Sequence, residues 1–493
     1  MSEGRLIIVS NRLPVVIDKK KDGSFSISAG KGGLVTAMAP VLKNRGGVWI
    51  GWPGIIEEDG ITEQNLGELI SKGVKDSGYE LEPIILTKKE RDNYYEGFSN
   101  EIIWPLFHDL ISLCNFKDKY WETYLSVNKK ISNKIMSKII KDDFIWVHDY
   151  HLLNVASELR QKGYNNRIGF FLHIPFPSLD IFSKLPWRKK ILESLLEYDL
   201  IGFQTPRDKR NFLQCVRRIL RNKVQARGRE NLVFIKSQSR DVLVGSFPIS
   251  IDYEAFKDGA DSANVAERAW FLHENLPNRK LILGIDRLDY TKGIPFKLKA
   301  FARALEKYPD MQKKVSLVQI LVPSRVYIPK YKELKDNIER MVGEINGRFT
   351  ELGWVPIYYI FRSLKREELL AYYRTSEIAL VTPLKDGMNL VVKEFCAANI
   401  EETGIVILSE FAGASAQLGK ECLLVNPFDV EKTADTIYEA YKMDYKIKRK
   451  KMKKMRNSIK KYDIFWWVDN FIKAGVYQSY EEYIPIKDFD FDY

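Results

Sequence analysis

The chain has 493 residues, a net charge of +12, 45% hydrophobic and 29% charged residues, too long for one ordinary core, so two or more domains are expected. No apolar stretch approaches the roughly 20 residues of a membrane span, and Met1–Ser10 lacks the basic start, apolar middle and cleavage site of a signal peptide. Four scattered cysteines, Cys114, Cys215, Cys396 and Cys422, carry no CxxC or CxxH spacing, which argues against a zinc site or disulfide frame and points to the cytoplasm. Much of the basic excess sits in Lys442–Lys461. That run reads as a solvated helix face, with no nucleic-acid module attached, so neither nucleic acid nor membrane is expected as a partner.

In chain order, the first buried strand is Arg5–Ser10, ending in Ser10-Asn11-Arg12. A glycine-rich turn, Ser28-Ala29-Gly30-Lys31-Gly32-Gly33, precedes a helical pattern from Leu34. Such a turn can bring backbone N–H groups to an anion, although an ordinary turn is the plainer reading. It is neither a P-loop nor GxGxxG. Strands follow at Val48–Trp52, Phe144–His148, Arg167–Leu172 and Leu200–Gln204, with helical spacing at Tyr120–Ile140 and Leu152–Lys162. Continuous apolar strands between helices imply a parallel sheet covered on both faces. After Val242–Asp252 a second series begins: Leu281–Ile285, Val315–Leu321, Ile357–Phe361, Ile378–Thr382, Ile405–Ser409 and Cys422–Val425. The expectation is two α/β doubly wound domains, residues 1–252 and 253–475, with a tail over 476–493. Ligands should bind at the carboxyl ends of the strands, in a cleft between the two.

Polar residues gather at those ends. His148-Asp149-Tyr150-His151 follows one strand and His173 the next. A metal held by the His-Asp-x-His spacing is one reading. Hydrogen-bonded histidines are the other, and no further carboxylates stand nearby in sequence. Arg287 and Lys292 follow Leu281–Ile285, where a guanidinium and an ammonium could clamp a diphosphate and stabilise a departing nucleotide. Arg325 is a further cation at that edge. Asp386-Gly387-Met388-Asn389-Leu390 leads into a helix carrying Glu394. The turn can hold an oxyanion, and the carboxylate can take both hydroxyls of a ribose. The run Asp488-Phe489-Asp490-Phe491-Asp492 reads as a tail rather than an interior metal-binding DxD.

Together the stretches SNRLPV, GWPG, YYEGFSNEIIWPLFH, WVHDYHLL, RIGFFLHIPFP, DRLDYTKG, LGWVPIYY and LVTPLKDGMNLVVKEF resemble the trehalose-6-phosphate synthases. The resemblance runs from Arg5 to about Phe471. It implies two facing Rossmann-like domains of GT-B architecture and transfer of glucose from UDP-glucose to glucose 6-phosphate with retention. It places the acceptor phosphate and sugar on Arg12, Trp52, Tyr95, Trp104, Asp149 and Arg325. The donor falls on Gly33, Arg287, Lys292, Asp386, Met388, Asn389, Leu390 and Glu394. Asp149 and His173 would lie at the reacting centre, with Arg287 and Lys292 as the other catalytic groups. No metal or other cofactor is implied. The mechanism favoured in that family has no protein nucleophile; a double displacement would need two carboxyls about 5 Å apart flanking the bond, and Asp149 is the one candidate for such a nucleophile. Lys31 adds a cation beside the donor phosphates and bears on the choice among UDP-, ADP- and GDP-glucose. A separate trehalose-6-phosphate phosphatase is expected downstream, and a homo-oligomer is compatible with the reading. Rivals are a sister synthase using glycerol 3-phosphate and a non-catalytic sugar-phosphate sensor. A helix over Lys446–Lys473 is expected to pack back across both domains, and the domains to close on the donor.

Overall fold

Strand order, more than strand content, decides where each half of this chain can bind a ligand. The computed structural model describes residues 4–477, apart from positions 21, 31–34, 36–37, 40, 44–45, 74–77, 222–224, 229–231, 237–239, 276–278 and 326–327. The first half contributes β1 (Leu6–Arg12), β2 (Val15–Lys19), β3 (Phe25–Ala29), β4 (Val48–Trp52), β5 (Glu80–Pro83), β6 (Phe144–His148), β7 (Ile168–Phe171) and β8 (Leu200–Phe203). It ends with β9 (Gln225–Gly228), β10 (Leu232–Lys236) and β11 (Asp241–Ser246). Nine of these form a sheet ordered β5-β4-β1-β6-β7-β8-β11-β10-β9, while β2 and β3 form a separate hairpin.

From β5 through β11 every pairing is parallel, and β10 and β9 close the edge antiparallel. The central strands are buried along their length, β4 and β6 completely, which is why they read as unbroken apolar runs. The chain steps outward from β1 to β4 and β5, then returns to pair β6 with the other side of β1. Between β1 and β6 the direction of winding reverses, so the crevice at their carboxyl ends is the natural ligand site of this unit.

The second half contributes β12 (Lys280–Arg287), β13 (Val315–Val322), β14 (Ile357–Phe361), β15 (Ile378–Val381), β16 (Ile405–Ser409) and β17 (Leu423–Val425). All pair parallel, in the order β14-β13-β12-β15-β16-β17. Numbered from its own first strand this is 3-2-1-4-5-6, the dinucleotide-binding order, with its switch point between β12 and β15. Its core joins Ile282, Leu317, Ile357, Ile378 and Ile405 of the sheet to Leu298, Phe301 and Ile338 of the helices.

The expected boundary needs correction. The chain divides at Ile249/Ser250 rather than 252/253, and among the described residues the second unit ends at Asp463. Helix Ile464–Tyr477 belongs to the first unit. The segment read as one helix over Lys446–Lys473 is two, Tyr445–Lys461 and Ile464–Tyr477, broken at Tyr462-Asp463. The reason is local. Phe471 ring atoms lie where a Cβ on Gly169 of β7 or Gly202 of β8 would stand, 2.8 Å and 2.6 Å away. Two glycines thus form a slot in the first sheet that the last helix fills.

Candidate functional site

At the switch point of the first unit, β1 delivers Arg12 as an exposed side chain after six buried residues. Its guanidinium carbon lies 3.9 Å from the centre of the Trp52 ring and 5.4 Å from that of Tyr95. Trp52 and Tyr95 meet edge to face at 5.5 Å, and Trp52 is fixed by an Nε1–H donated to the Ile55 carbonyl at 2.5 Å. The result is a cation laid on an aromatic wall, a surface suited to an anionic sugar.

Tyr95 sits on a π-helical stretch, Arg91–Ile103, whose end shows the wide turn directly: Trp104 N–H bonds back to the Ser99 carbonyl. This stretch presents Tyr94, Tyr95 and Asn100 to the site. The Tyr94 hydroxyl donates to Asn11 Oδ1 at 3.0 Å, and Tyr150 OH donates to Asn100 Oδ1 at 3.2 Å. Burial pushes the Tyr94 phenol up, with Tyr95, Arg12 and Asp149 as the charged or polar neighbours. Trp104 lies against His108 at 4.3 Å and Tyr150 at 5.9 Å. The first unit therefore brings Arg12, Trp52 and Tyr95 together, while Trp104 packs on His108 and Tyr150.

Asp149 follows β6 with φ 76° and ψ 167°, a region that is otherwise almost confined to glycine and costs about 1–3 kcal/mol. Strain of this kind is retained where a side chain must be aimed. Asp149 N–H bonds to the Phe171 carbonyl at 2.8 Å, and Asp149 Oδ1 accepts from His173 N–H at 3.2 Å. The carboxylate is thereby tied to the end of β7.

The histidines separate. His148 Nδ1 faces His173 Nε2 at 3.1 Å, whereas His151 stacks on Tyr95 at 5.9 Å and meets Tyr150 in a tilted contact at 3.9 Å. Among the described residues no group of three or more His, Cys, Asp or Glu side chains is placed to hold a metal ion. Burial holds both facing imidazoles below the ordinary histidine range, His173 at about 3, and the neighbouring His173 depresses His148 further.

The sign for stability follows. Unfolded histidines take up protons near pH 6.5 while the folded pair does not. The contribution is complete above that value and is lost as pH falls from about 6.5 towards 3. Urea unfolding at pH 5 should show a loss on the order of 2 kcal/mol from His173 relative to pH 7.5, with a further loss in the same direction from His148. A smaller loss is expected in His148→Phe, and equal pH slopes in the two proteins would contradict the assignment.

In the second unit, β12 ends with Arg287 exposed and the chain turns through Asp289, which is buried. Burial alone would raise the Asp289 carboxyl. Arg325, Arg287, Lys292 and the Thr291 N–H overcome this and hold it below the usual range. Asp289 Oδ1 accepts from Thr291 N–H at 3.0 Å and Thr291 Oγ1 at 2.9 Å. Its Oδ2 stands 3.4 Å from Arg325 Nη1, which also donates to Tyr331 OH at 2.7 Å. Arg325 thus belongs to the second unit, whereas Arg12, Trp52, Tyr95, Trp104 and Asp149, the other residues expected around the acceptor, belong to the first.

Across the switch point, the loop after β15 carries Asp386. Lys292 Nζ donates to Asp386 Oδ2 at 2.5 Å, and Asn389 Nδ2 reaches the same oxygen at 3.1 Å. Asn389, at φ 71°, opens helix Leu390–Ala398. The N–H groups of that first turn have no intrahelical partner, so the loop ends in a terminus able to take an anion, with Lys292 on the adjoining Asp386. Met388 is buried beneath it. One turn on, Glu394 Oε2 accepts from Tyr373 OH at 2.8 Å, and burial raises its carboxyl. Gly33 and Lys31 lie outside the described residues.

Sequence reasoning gave no roles to Asp289, Tyr331, Tyr373, Tyr94 or Asn100. Asp289 did stand inside DRLDYTKG. The others act through contacts between elements distant in sequence.

Residues 4–475 match glycosyltransferase family 20. The α,α-trehalose-phosphate synthase [UDP-forming] of Candida albicans is 41% identical over 479 residues, covering 96% of this chain and 97% of that protein. The trehalose-6-phosphate synthase of Mycobacterium bovis is 40% identical over 474 residues, covering 95% and 94%. A crystal structure of the UDP-forming α,α-trehalose-phosphate synthase of Burkholderia xenovorans in complex with glucose-6-phosphate superposes with a TM-score of 0.85 at 34% identity, covering 96% of this chain and 99% of that one. These likenesses extend over both Rossmann-like units, whose fold is that of the GT-B enzymes. With its two switch-point sites, one aromatic and cationic, the other a cation pair beside a helix terminus, the chain belongs to glycosyltransferase family 20.

Proposed function

We propose that this protein is a retaining glucosyltransferase that moves glucose from UDP-glucose to glucose 6-phosphate, releasing UDP and forming α,α-trehalose 6-phosphate. Near-complete alignment with UDP-forming trehalose-phosphate synthases carries the reading, and the chemistry of the two sites supports it. Arg287, Lys292 and the terminus of helix Leu390–Ala398 suit a diphosphate, and Glu394 suits a ribose. Asp386 and Asn389 orient Lys292 and face the glucose. Arg12, laid over Trp52 and beside Tyr95, suits the phosphate and ring of glucose 6-phosphate, and the family resemblance assigns Trp104 and Arg325 to the same substrate.

Chemically, the C1–O bond to UDP breaks while the 1-hydroxyl of the acceptor attacks from the same face, through an oxocarbenium-like state. The leaving phosphate takes the acceptor's proton. Arg287 and Lys292 stabilise its growing negative charge, work that elsewhere falls to a metal, so none is required. Asp149, adjoining His173, orients the reacting sugars. The product passes to a separate phosphatase, and a cytoplasmic setting fits the substrates. Homo-oligomerisation is compatible with these roles.

Two loops hold the donor side together. Asp386 N–H bonds to the Phe411 carbonyl at 3.2 Å, Gly413 N–H to Asp386 O at 3.1 Å, and Ala414 N–H to Met388 O at 2.9 Å. A Cβ at Gly413 would stand 1.8 Å from the Gly387 oxygen. Gly413→Ala must therefore displace the Asp386–Asn389 turn, and UDP should bind about tenfold or more weakly, a loss of about 1.4 kcal/mol. Calorimetric titration checks this, and unchanged affinity would dissociate that turn from the donor.

The test of the reaction is nucleotide release in EDTA-treated buffer, crossing UDP-, ADP- and GDP-glucose with glucose 6-phosphate and glycerol 3-phosphate. UDP release that needs glucose 6-phosphate is expected. Release with glycerol 3-phosphate alone would move the protein to the sister activity, and activity only after a divalent metal is restored would refute the metal-free clamp.

A further inference from the structure

His148 and His173 end adjacent parallel strands, β6 and β7, and their rings meet through one contact, His148 Nδ1 to His173 Nε2 at 3.1 Å. Two neutral imidazoles joined this way share a single proton. Either His148 donates and His173 accepts, or the reverse. The two arrangements differ at the far nitrogens, and there the structure discriminates.

His148 Nε2 is buried and has no hydrogen-bond partner among the described residues. The His148 ring packs beside those of Trp146, 4.8 Å away between centroids, and Trp467, 6.4 Å away, whose indole N–H groups can donate but not accept. The Trp467 Nε1–H is already committed to the Phe247 carbonyl at 2.9 Å. If His148 carried its proton on Nε2, an N–H would be buried with no acceptor, the costlier of the two orphans. With the proton on Nδ1, only a lone pair is left unsatisfied. His148 therefore donates from Nδ1, and His173 accepts at Nε2.

A neutral ring that accepts at Nε2 keeps its proton on Nδ1. His173 is only partly buried, unlike His148, and its ring is placed by the pocket around it. Its backbone N–H is held by Asp149 and its carbonyl by Gln204 Nε2 at 3.4 Å. Gln204 Oε1 is in turn anchored by Ile249 N–H at 3.0 Å.

We infer that His148 is a positioning residue that fixes the tautomer of His173, so that His173 presents Nδ1–H as a neutral hydrogen-bond donor to a hydroxyl of the substrate sugar. The role of His173 rests on the transferase reading above, whereas the tautomer itself does not. Neutrality matters because positive charge develops on the donor sugar. A neutral N–H can orient a hydroxyl there without repelling the oxocarbenium-like centre, which an imidazolium would do. Both imidazoles are held neutral near pH 7 by their burial, in keeping with this.

Long-range ¹H–¹⁵N correlation spectra of the full chain labelled at histidine report which ring nitrogen is protonated, independently of any activity. His173 assigned by comparison with His173→Asn should show protonated Nδ1 and an unprotonated Nε2; a protonated His173 Nε2 in the wild type overturns the inference. Kinetically, His148→Phe should lower kcat on the order of 10²-fold with little change in KM for glucose 6-phosphate. His148→Asn, which keeps an N–H near the position of Nδ1, should recover most of that loss. Equal losses in both variants, or none in His148→Phe, would also overturn it. A wild-type spectrum as expected in a protein without glucose 6-phosphate-dependent turnover would instead sink the transferase reading and leave the tautomer standing.

Discussion

Replacing Lys292 with alanine should lower kcat with UDP-glucose by about 10²–10³-fold, and Arg287→Ala should do the same within a factor of a few. The effect is electrostatic. Departure of UDP places negative charge on the β-phosphate, and the cations at this edge are there before the reaction begins. Lys292 is held by Asp386 at 2.5 Å, and Arg287 stands exposed at the end of β12. Removing either cation leaves the helix terminus and one positive charge to do the stabilising. The double variant should fall short of the product of the single losses, since the two act on one charge. Asp386→Asn is the control. It loosens Lys292 without removing it, so a smaller decrease is expected. If the pair were only structural, the variants would melt earlier yet keep kcat when folded, and steady-state kinetics with parallel melting curves separates the cases.

Trp467→Ala should destabilise the first unit by about 3–5 kcal/mol. Trp467 is fully buried although it lies more than 210 residues beyond that unit's last strand. Its ring lies against Trp146 at 4.9 Å, Phe171 at 4.9 Å and His173 at 6.2 Å. It is joined by Phe471, which stacks on Trp146 at 4.3 Å and occupies the slot left by Gly169 and Gly202. Ile464, Val468 and Ala474 are buried on the same helix. Truncation after Asp463 removes all of them, a loss on the order of 10 kcal/mol by side-chain burial, comparable with the whole stability of a domain. The truncated chain should therefore lose cooperative unfolding of its first unit. A truncated protein with a wild-type melting profile would contradict this placement of the last helix. Because the helix backs the His148–His173 pair, Trp467→Ala should also reduce kcat at temperatures where the protein remains folded.

How legible this was depends on where the signal resides. The central strands announced themselves because a parallel strand covered on both faces must be apolar throughout, as Leu6–Val9 and Phe144–Val147 are. Edge strands carry no such requirement. β5 reads Glu-Leu-Glu-Pro, and β9, β10 and the β2–β3 hairpin went unanticipated. Chain termini of the sheets were visible too, so Arg12, Asp149, His173, Arg287 and Asp386 stood where strands stop. Their partners were not. Nothing local to His148 says that it faces a residue 25 positions away, and nothing in Arg91–Ile103 signals a π-helical turn. The domain boundary failed for the same reason. The last helix is apolar on the face it buries, but which sheet receives it is decided by two glycines some 270 to 300 residues earlier.

The central claim concerns the bond that is made. Incubating the protein with UDP-glucose ¹³C-labelled at C1 of its glucose and with glucose 6-phosphate in EDTA-treated buffer, and following the transferred anomeric carbon by NMR, tests it directly. The account predicts one new α,α-1,1-linked disaccharide phosphate, formed in step with UDP and with the configuration of the donor retained. A β-linked product, free glucose in place of a disaccharide, or no product until metal is added would contradict it.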